Sequence, residues 1–225
     1  MGHNGDSAYP LQPDDERMVR FHNAGTFHGA PPMSISADIV SFLKRTPEIA
    51  RLNFAFGKLK VYPSGYQTDV ADAISSGKIK VKADSGAVGA GAGAAYFTDY
   101  DTLELLPGFS IAKQRDQAFV VHECTHAFFD LLSIGNHSGH DDEAAAYIAE
   151  AIYLEARQWP PASGHLIRVA AHAIAKKVLA GAYAVSAADM ATLSSFVGST
   201  PIYSGKSTYV SDGTDNRPAY RNLVR

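Results

Sequence analysis

The hydrophobic positions change their rhythm along the chain. Up to about residue 106 they come in short runs broken by Gly, Pro and Asp, and beyond residue 115 they recur every three to four residues. In the first part, Ser36 to Arg45 reads as a short helix with Ile39, Val40 and Leu43 on one side, stopped before Pro47. Leu52 to Tyr62 alternates like a strand, and Pro63-Ser-Gly65 reads as a turn. Thr68 to Ser76 is predicted helical, with Val70, Ala73 and Ile74 inward and Gly77 closing it. Ile79 to Lys82, Tyr96 to Thr98 and Thr102 to Leu106 carry strand signals. The second part predicts helices over Gln117–Ile134, Asp141–Gln158, Gly164–Leu179 and Ala187–Phe196, separated by Gly135-Asn-His-Ser-Gly139 and Trp159-Pro-Pro161. Strands first and helices afterwards predict one α+β domain over 1–225, with an extended arm over 1–33 and an irregular tail over 201–225.

Composition narrows the classes. The 225 residues are 46% hydrophobic and 19% charged, which suits a packed core and excludes disorder as the main state. A net charge of −3 predicts no basic footprint, hence no nucleic-acid partner. One cysteine, Cys124, excludes an internal disulfide framework. No signal peptide is visible, and the apolar stretches Ala118–Val121 and Ala144–Leu154 are too short to span a bilayer. A cytoplasmic protein is expected, with export by a dedicated route left open. The run Gly86 to Ala95 fits neither the dinucleotide fingerprint nor the phosphate loop, and reads as a flexible loop or a mobile flap. The lysine alternations at 58/60 and 78/80/82 mark solvent faces of strands.

One segment carries chemistry: Val120-Val-His-Glu-Cys-Thr-His-Ala-Phe-Phe-Asp130. His122 and His126 stand four apart on a helix, so both imidazoles face the same way and can share one Zn²⁺. Glu123 lies beside them, placed to take a proton from water. Cys124 falls on the opposite side of the helix and reads as a small buried hydrophobe. A structural role for these three polar residues inside an apolar helix requires a private partner for each.

Two histidines leave a third protein ligand to be found. Phe129 and Leu132 stand where the metzincin extension has glycine and histidine, which excludes that class. The downstream candidates are His137, His140, Asp141, Asp142, Glu143 and Glu150. Glu143, Tyr147, Glu150 and Leu154 share one helical face, which favours Glu143 with Glu150 second. Acidic residues at 141–143 also stabilise a helix start through its dipole, and that reading is expected to hold for at least two of the three. His165 and His172 share a helix face and read as an ordinary satisfied pair, and His22 and His28 lie in the N-terminal arm.

Val121 to Asp130 followed by Asp142-Glu-Ala-Ala-Ala-Tyr147 resembles the gluzincin metallopeptidases, the thermolysin-like clan. The resemblance covers residues 121–147. It implies a zincin-like fold, with a small N-terminal mixed sheet whose edge strand precedes the active-site helix, and helices after it. It implies zinc on His122, His126 and Glu143, and a peptidase using zinc-activated water with Glu123 as general base on peptide or protein substrates. By the same plan Ala94 to Thr98 is the edge strand, with an ordinary core strand as the equal alternative on sequence alone. Tyr147 stands where that clan has an aspartate orienting a zinc-bound histidine, so the carboxylate role is expected to be missing, and no downstream transition-state histidine motif is found. The alternatives are a non-catalytic module whose zinc clips two helices together, and a toxin-like effector protease.

Overall fold

The computed structural model describes residues 34–86, 88, 93–160, 164–203, 205, 209–211, 213 and 214. The expected arm over 1–33, with His22 and His28, and half of the glycine run (87 and 89–92) lie outside the described residues. The described residues all belong to one unit, Met33–Arg225.

Helix α1 (Ile35–Arg45) starts at Ser34, whose side chain accepts the Ala37 N–H, and buries Ile39, Phe42 and Leu43. The alternating segment that follows is not one strand. It folds into a hairpin of β1 (Phe54–Phe56) and β2 (Leu59–Val61), because Gly57 takes a φ of +60° and turns the chain within the run. Pro63-Ser-Gly65 is not an isolated turn either. It opens a helical segment that passes through a π turn at Gly65–Val70 into α2 (Ala71–Ser75). Proline is compatible with a first helical turn, and Gly65 lets the backbone lie on the Phe128 ring.

A Cβ at Gly65 would stand 2.5 Å from that ring. Phe128 is fully buried and held by Tyr62, Tyr66 and Phe129, so it has nowhere to retreat. Gly65→Ala is expected to destabilise the protein by about 1–3 kcal/mol, measured by denaturant unfolding. Unchanged stability would mean that the ring moves freely.

Strand β3 (Lys80–Lys82) pairs parallel with β5 (Thr102–Leu105), and β4 (Ala94–Phe97) pairs antiparallel on the other side of β5. Among the described strands, β4 therefore forms one border of this sheet. The bond from Leu106 N–H to Gly93 O (3.0 Å) sets the phase of the β4–β5 ladder. That phase turns the peptide groups of Ala94 and Tyr96 away from β5.

Four longer helices follow: α3 (Gln114–Leu131), α4 (Gly139–Ala156), α5 (Leu166–Leu179) and α6 (Ala187–Ser199). Helix α3 ends three residues short of the expected Ile134, because Ser133 and Gly135 adopt positive φ. The expected break at 135–139 contains a strand. β6 (Gly135–His137) pairs antiparallel with β7 (Tyr209–Ser211), so part of the polar C-terminal tail is tied to the α3–α4 connection. Helix α4 starts two residues earlier than expected, capped by Ser138, which accepts the Asp141 N–H at 3.3 Å.

Helix α4 lies at the centre of the helical part, packed against α3, α5 and α6. Ala144, Ala145, Ala146, Ile148, Ala149 and Ile152 are all fully buried. The stretch from Asp142 to Tyr153 is buried on every side, and its alanines let neighbouring helices approach. The architecture is α+β. Among the described residues, no helix is long and apolar enough to cross a membrane.

Candidate metal centre

The centre is built where α3 and α4 face each other. His122 meets Glu150, whereas His126, four residues further along α3, meets Asp142. Rising numbers on α3 against falling numbers on α4 define an antiparallel pair. Both imidazole Nε2 atoms converge on Glu143: Oε2 lies 3.4 Å from His122 Nε2 and 3.8 Å from His126 Nε2. Among the described residues, His122, His126 and Glu143 form the group whose ligand atoms lie within 4.8 Å of one another, and all three are buried.

The other nitrogen of each ring decides what that group can hold. His122 Nδ1 donates to Glu150 Oε2 at 3.2 Å, and His126 Nδ1 donates to Asp142 Oδ2. Donation from both Nδ1 atoms leaves the lone pairs on Nε2, pointing at each other and at the Glu143 carboxylate. Three such lone pairs repel unless a cation lies among them, and two imidazoles with one carboxylate are a donor set for zinc. Without a metal, protons are the alternative. Burial opposes a charged His122, but its bonds to Glu143 and Glu150 overcome this and hold its pKa well above the ordinary value. Burial likewise opposes a charged His126, and Asp142 overcomes it. Protons and metal therefore compete for the same atoms.

The two orienting carboxylates stay ionised. Burial alone would raise Asp142, but His126 and His137 lower it. Burial would also raise Glu150, but His122 and Arg168 lower it. Thus Asp142 is not merely a helix-start charge, since its side chain is fully buried between two histidines. Glu150, the second candidate for the third ligand, holds His122 from behind. Neither carboxylate joins the converging group. The resemblance left a histidine-orienting carboxylate missing at Tyr147, and here Glu150 and Asp142 each stand at one imidazole Nδ1. Asp141 accepts a bond from Ser194 at 2.7 Å, and His140 faces the Tyr203 carbonyl at 3.2 Å. His137 faces Asp142 and Gly135.

Glu123 lies on the side of α3 that faces the sheet. Its Oε2 accepts the Tyr96 N–H of β4 at 2.8 Å. Seven residues along α3, Asp130 accepts the Tyr96 hydroxyl at 2.9 Å and the Gly213 N–H at 3.2 Å. Tyr96 is thus clamped to α3 at two points. Burial raises the Glu123 carboxyl above its ordinary value, against the pull of His122 and His126. Behind the histidines, the Thr125 hydroxyl donates to Val121 O at 2.9 Å, so Tyr66 donates to Thr125 at 2.7 Å. Cys124 is buried, as its position predicts.

Sequence reasoning singled out Tyr147 but missed Tyr203, Arg168 and the role of Tyr96 around the centre. The Tyr147 ring meets His122 edge-on at 4.7 Å, and its hydroxyl bonds to that of Tyr203 at 2.7 Å. Burial, then Glu143, pushes the Tyr203 phenol up, so it remains protonated. Arg168 of α5 places Nε 3.2 Å from Glu150 Oε1, with its guanidinium near the Phe119 and Tyr147 rings. Tyr203 and Arg168 are distant in sequence from the histidine motif, and neither belongs to any pattern with it. The role of Tyr96 needs the register of β4, which its apolar neighbours do not reveal. Comparison with models of known families, with curated proteins and with solved structures found no match.

Proposed function

We propose that this protein is a zinc-dependent peptidase of the gluzincin type, with a zincin-like arrangement of an edge strand beside its active-site helix. The observation that carries the reading is the convergence of two Nε2 atoms and a Glu143 oxygen, with both Nδ1 atoms committed to carboxylates. His122, His126 and Glu143 would hold the zinc. Zinc supplies a Lewis acid that lowers the pKa of a coordinated water to about 7 and polarises the scissile carbonyl.

The chain's own groups do the rest. Tyr96 N–H holds Glu123 Oε2, which leaves Oε1 to take a proton from the attacking water and return it to the leaving nitrogen. Strand β4, which borders its sheet among the described strands, runs beside Glu123, and the zincin reading places an extended substrate along it. The partner is then a peptide or protein segment bound as an added strand. The Tyr147–Tyr203 hydroxyl pair lies on the other side of His122 and remains able to donate. A zinc that only clipped α3 to α4 would call for a fourth protein ligand. His137 and His140 face other partners, and Cys124 lies on the far side of α3, which favours the catalytic reading.

Cleavage of a mixed peptide library should proceed with the zinc-loaded protein, stop on chelation and return when zinc is restored. Cleavage that survives complete metal removal would overturn the reading.

A further inference from the structure

Two arginines stand over one aromatic ring beside the centre. Phe119 precedes His122 and Glu123 by three and four residues on α3, so it lies on their face of the helix, one turn nearer the N-terminus. Arg115, a further turn back, places its guanidinium carbon 5.4 Å from the centre of the Phe119 ring, and Arg168 of α5 places its own at 5.8 Å. The Arg168 guanidinium also stands 6.0 Å from the Tyr147 ring, which meets His122 edge-on. Gly93, which leads into β4, closes the Phe119 ring from the sheet side, where a Cβ would run into it. Phe119 therefore joins the start of β4 to both guanidiniums.

The polar partners of the two arginines are few. Among the described residues, Arg115 makes no ion pair, and Arg168 makes one, from Nε to Glu150 Oε1 at 3.2 Å. That Nε is buried and makes no hydrogen bond there. The two terminal nitrogens of Arg168 have neither a hydrogen bond nor an ion pair among the described residues. They form the edge that grips a carboxylate with two parallel bonds. The side chain is 25% exposed, so a ligand can reach it. A guanidinium carries its charge at every working pH, and contact with two rings orders it before a ligand arrives. One carboxylate, Glu150, separates the guanidinium from His122, a span of roughly two to three extended residues. Resting on the zinc-peptidase reading above, we infer that Arg168, with Arg115 beside it, binds a carboxylate of the substrate within about three residues of the scissile bond. An acidic side chain and a free C-terminus both present that group.

Two readouts on the full chain test the inference. In a peptide library cut by the zinc-loaded wild type, cleaved sequences should carry Asp or Glu at one fixed position, or cuts should fall at a fixed distance from a free C-terminus. Converting that acid to its amide, or amidating that terminus, should lower kcat/KM by about 10–100-fold. Arg168→Gln should abolish most of this acid-to-amide ratio, and Arg115→Gln part of it. The ratio is taken within each protein, so a general loss of activity cancels. Cleavage without the preference, or a preference unchanged in both variants, overturns the inference and leaves the peptidase reading standing. The second readout needs no turnover. The guanidinium ¹⁵N–H signals of Arg168 are followed in Glu123→Gln as purified, titrated with a short capped peptide containing Asp, its Asn counterpart, and the Asn peptide with a free C-terminus. The Asp peptide, the free-terminus peptide or both should move the signals, and the capped Asn peptide should not. No movement, or equal movement with all three, overturns the inference. If the wild type cleaves no peptide, the peptidase reading fails, while the Arg168 signals still decide the carboxylate site.

Discussion

Glu123→Gln is expected to keep its fold and its zinc while losing hydrolysis by at least ~10²-fold. The residue stands outside the converging ligand group, so its carboxylate is not needed to hold the metal. Glutamine retains an oxygen that can accept the Tyr96 N–H, now made to Glu123 Oε2 at 2.8 Å. What the substitution removes is the basic Oε1. The carboxyl of Glu123 is raised above its ordinary value by burial, which strengthens it as a proton acceptor. General acid–base groups contribute about 10²–10⁴-fold, and here one group serves both the attack and the departure of the amine. The assay is single-peptide turnover on a substrate selected from a library, with zinc content and thermal unfolding measured on the same sample. Wild-type turnover in Glu123→Gln would remove Glu123 from the mechanism. A large stability loss without a specific rate effect would instead make it a structural partner of β4.

The helices that build the centre were legible because they carry period-3.6 patterns and clear stops. Their ends moved by two or three residues where caps decided them: Ser138 starts α4 early, and positive φ at Ser133 ends α3 early. Helical phase put Glu143, Tyr147 and Glu150 on one face, and all three are buried. Phase could not distinguish a ligand from an orienting group, because both lie on that same face. The difference is which ring nitrogen each oxygen reaches, and that depends on the offset between two helices. Asp142 stays both a candidate ligand and a candidate helix-start charge in the sequence for the same reason: its place in the first turn is visible, but not the two histidines that close on it. The hairpin at Gly57 and the β6–β7 pairing were missed for different reasons. The first hid a turn inside an alternating run, and the second joins segments more than 70 residues apart.

Wild type is expected to hold one zinc ion per chain, and His126→Ala is expected to lose it. The substitution removes one of three protein ligands, and the remaining pair, His122 Nε2 and Glu143, is a poor zinc site on its own. Zinc bound through a full protein set is stabilised by roughly 10–16 kcal/mol, so losing a third of the ligands weakens binding on the order of 10²–10⁴-fold. The deletion also takes the partner from Asp142 Oδ2, and His137 remains to hold that carboxylate. His140→Ala is the control, because His140 faces the Tyr203 carbonyl and should leave zinc content unchanged. The carboxylates that raise both ligand imidazoles add a signature in pH. Protons bind at the Nε2 atoms that zinc needs, so wild-type affinity should fall as pH is lowered from 8 to 6, with protons released on binding. Metal analysis after dialysis reads the stoichiometry, and chelator competition at the two pH values reads the linkage. Equal zinc in His126→Ala and wild type would place the metal elsewhere. A pH-independent affinity would mean that the imidazoles are not its ligands.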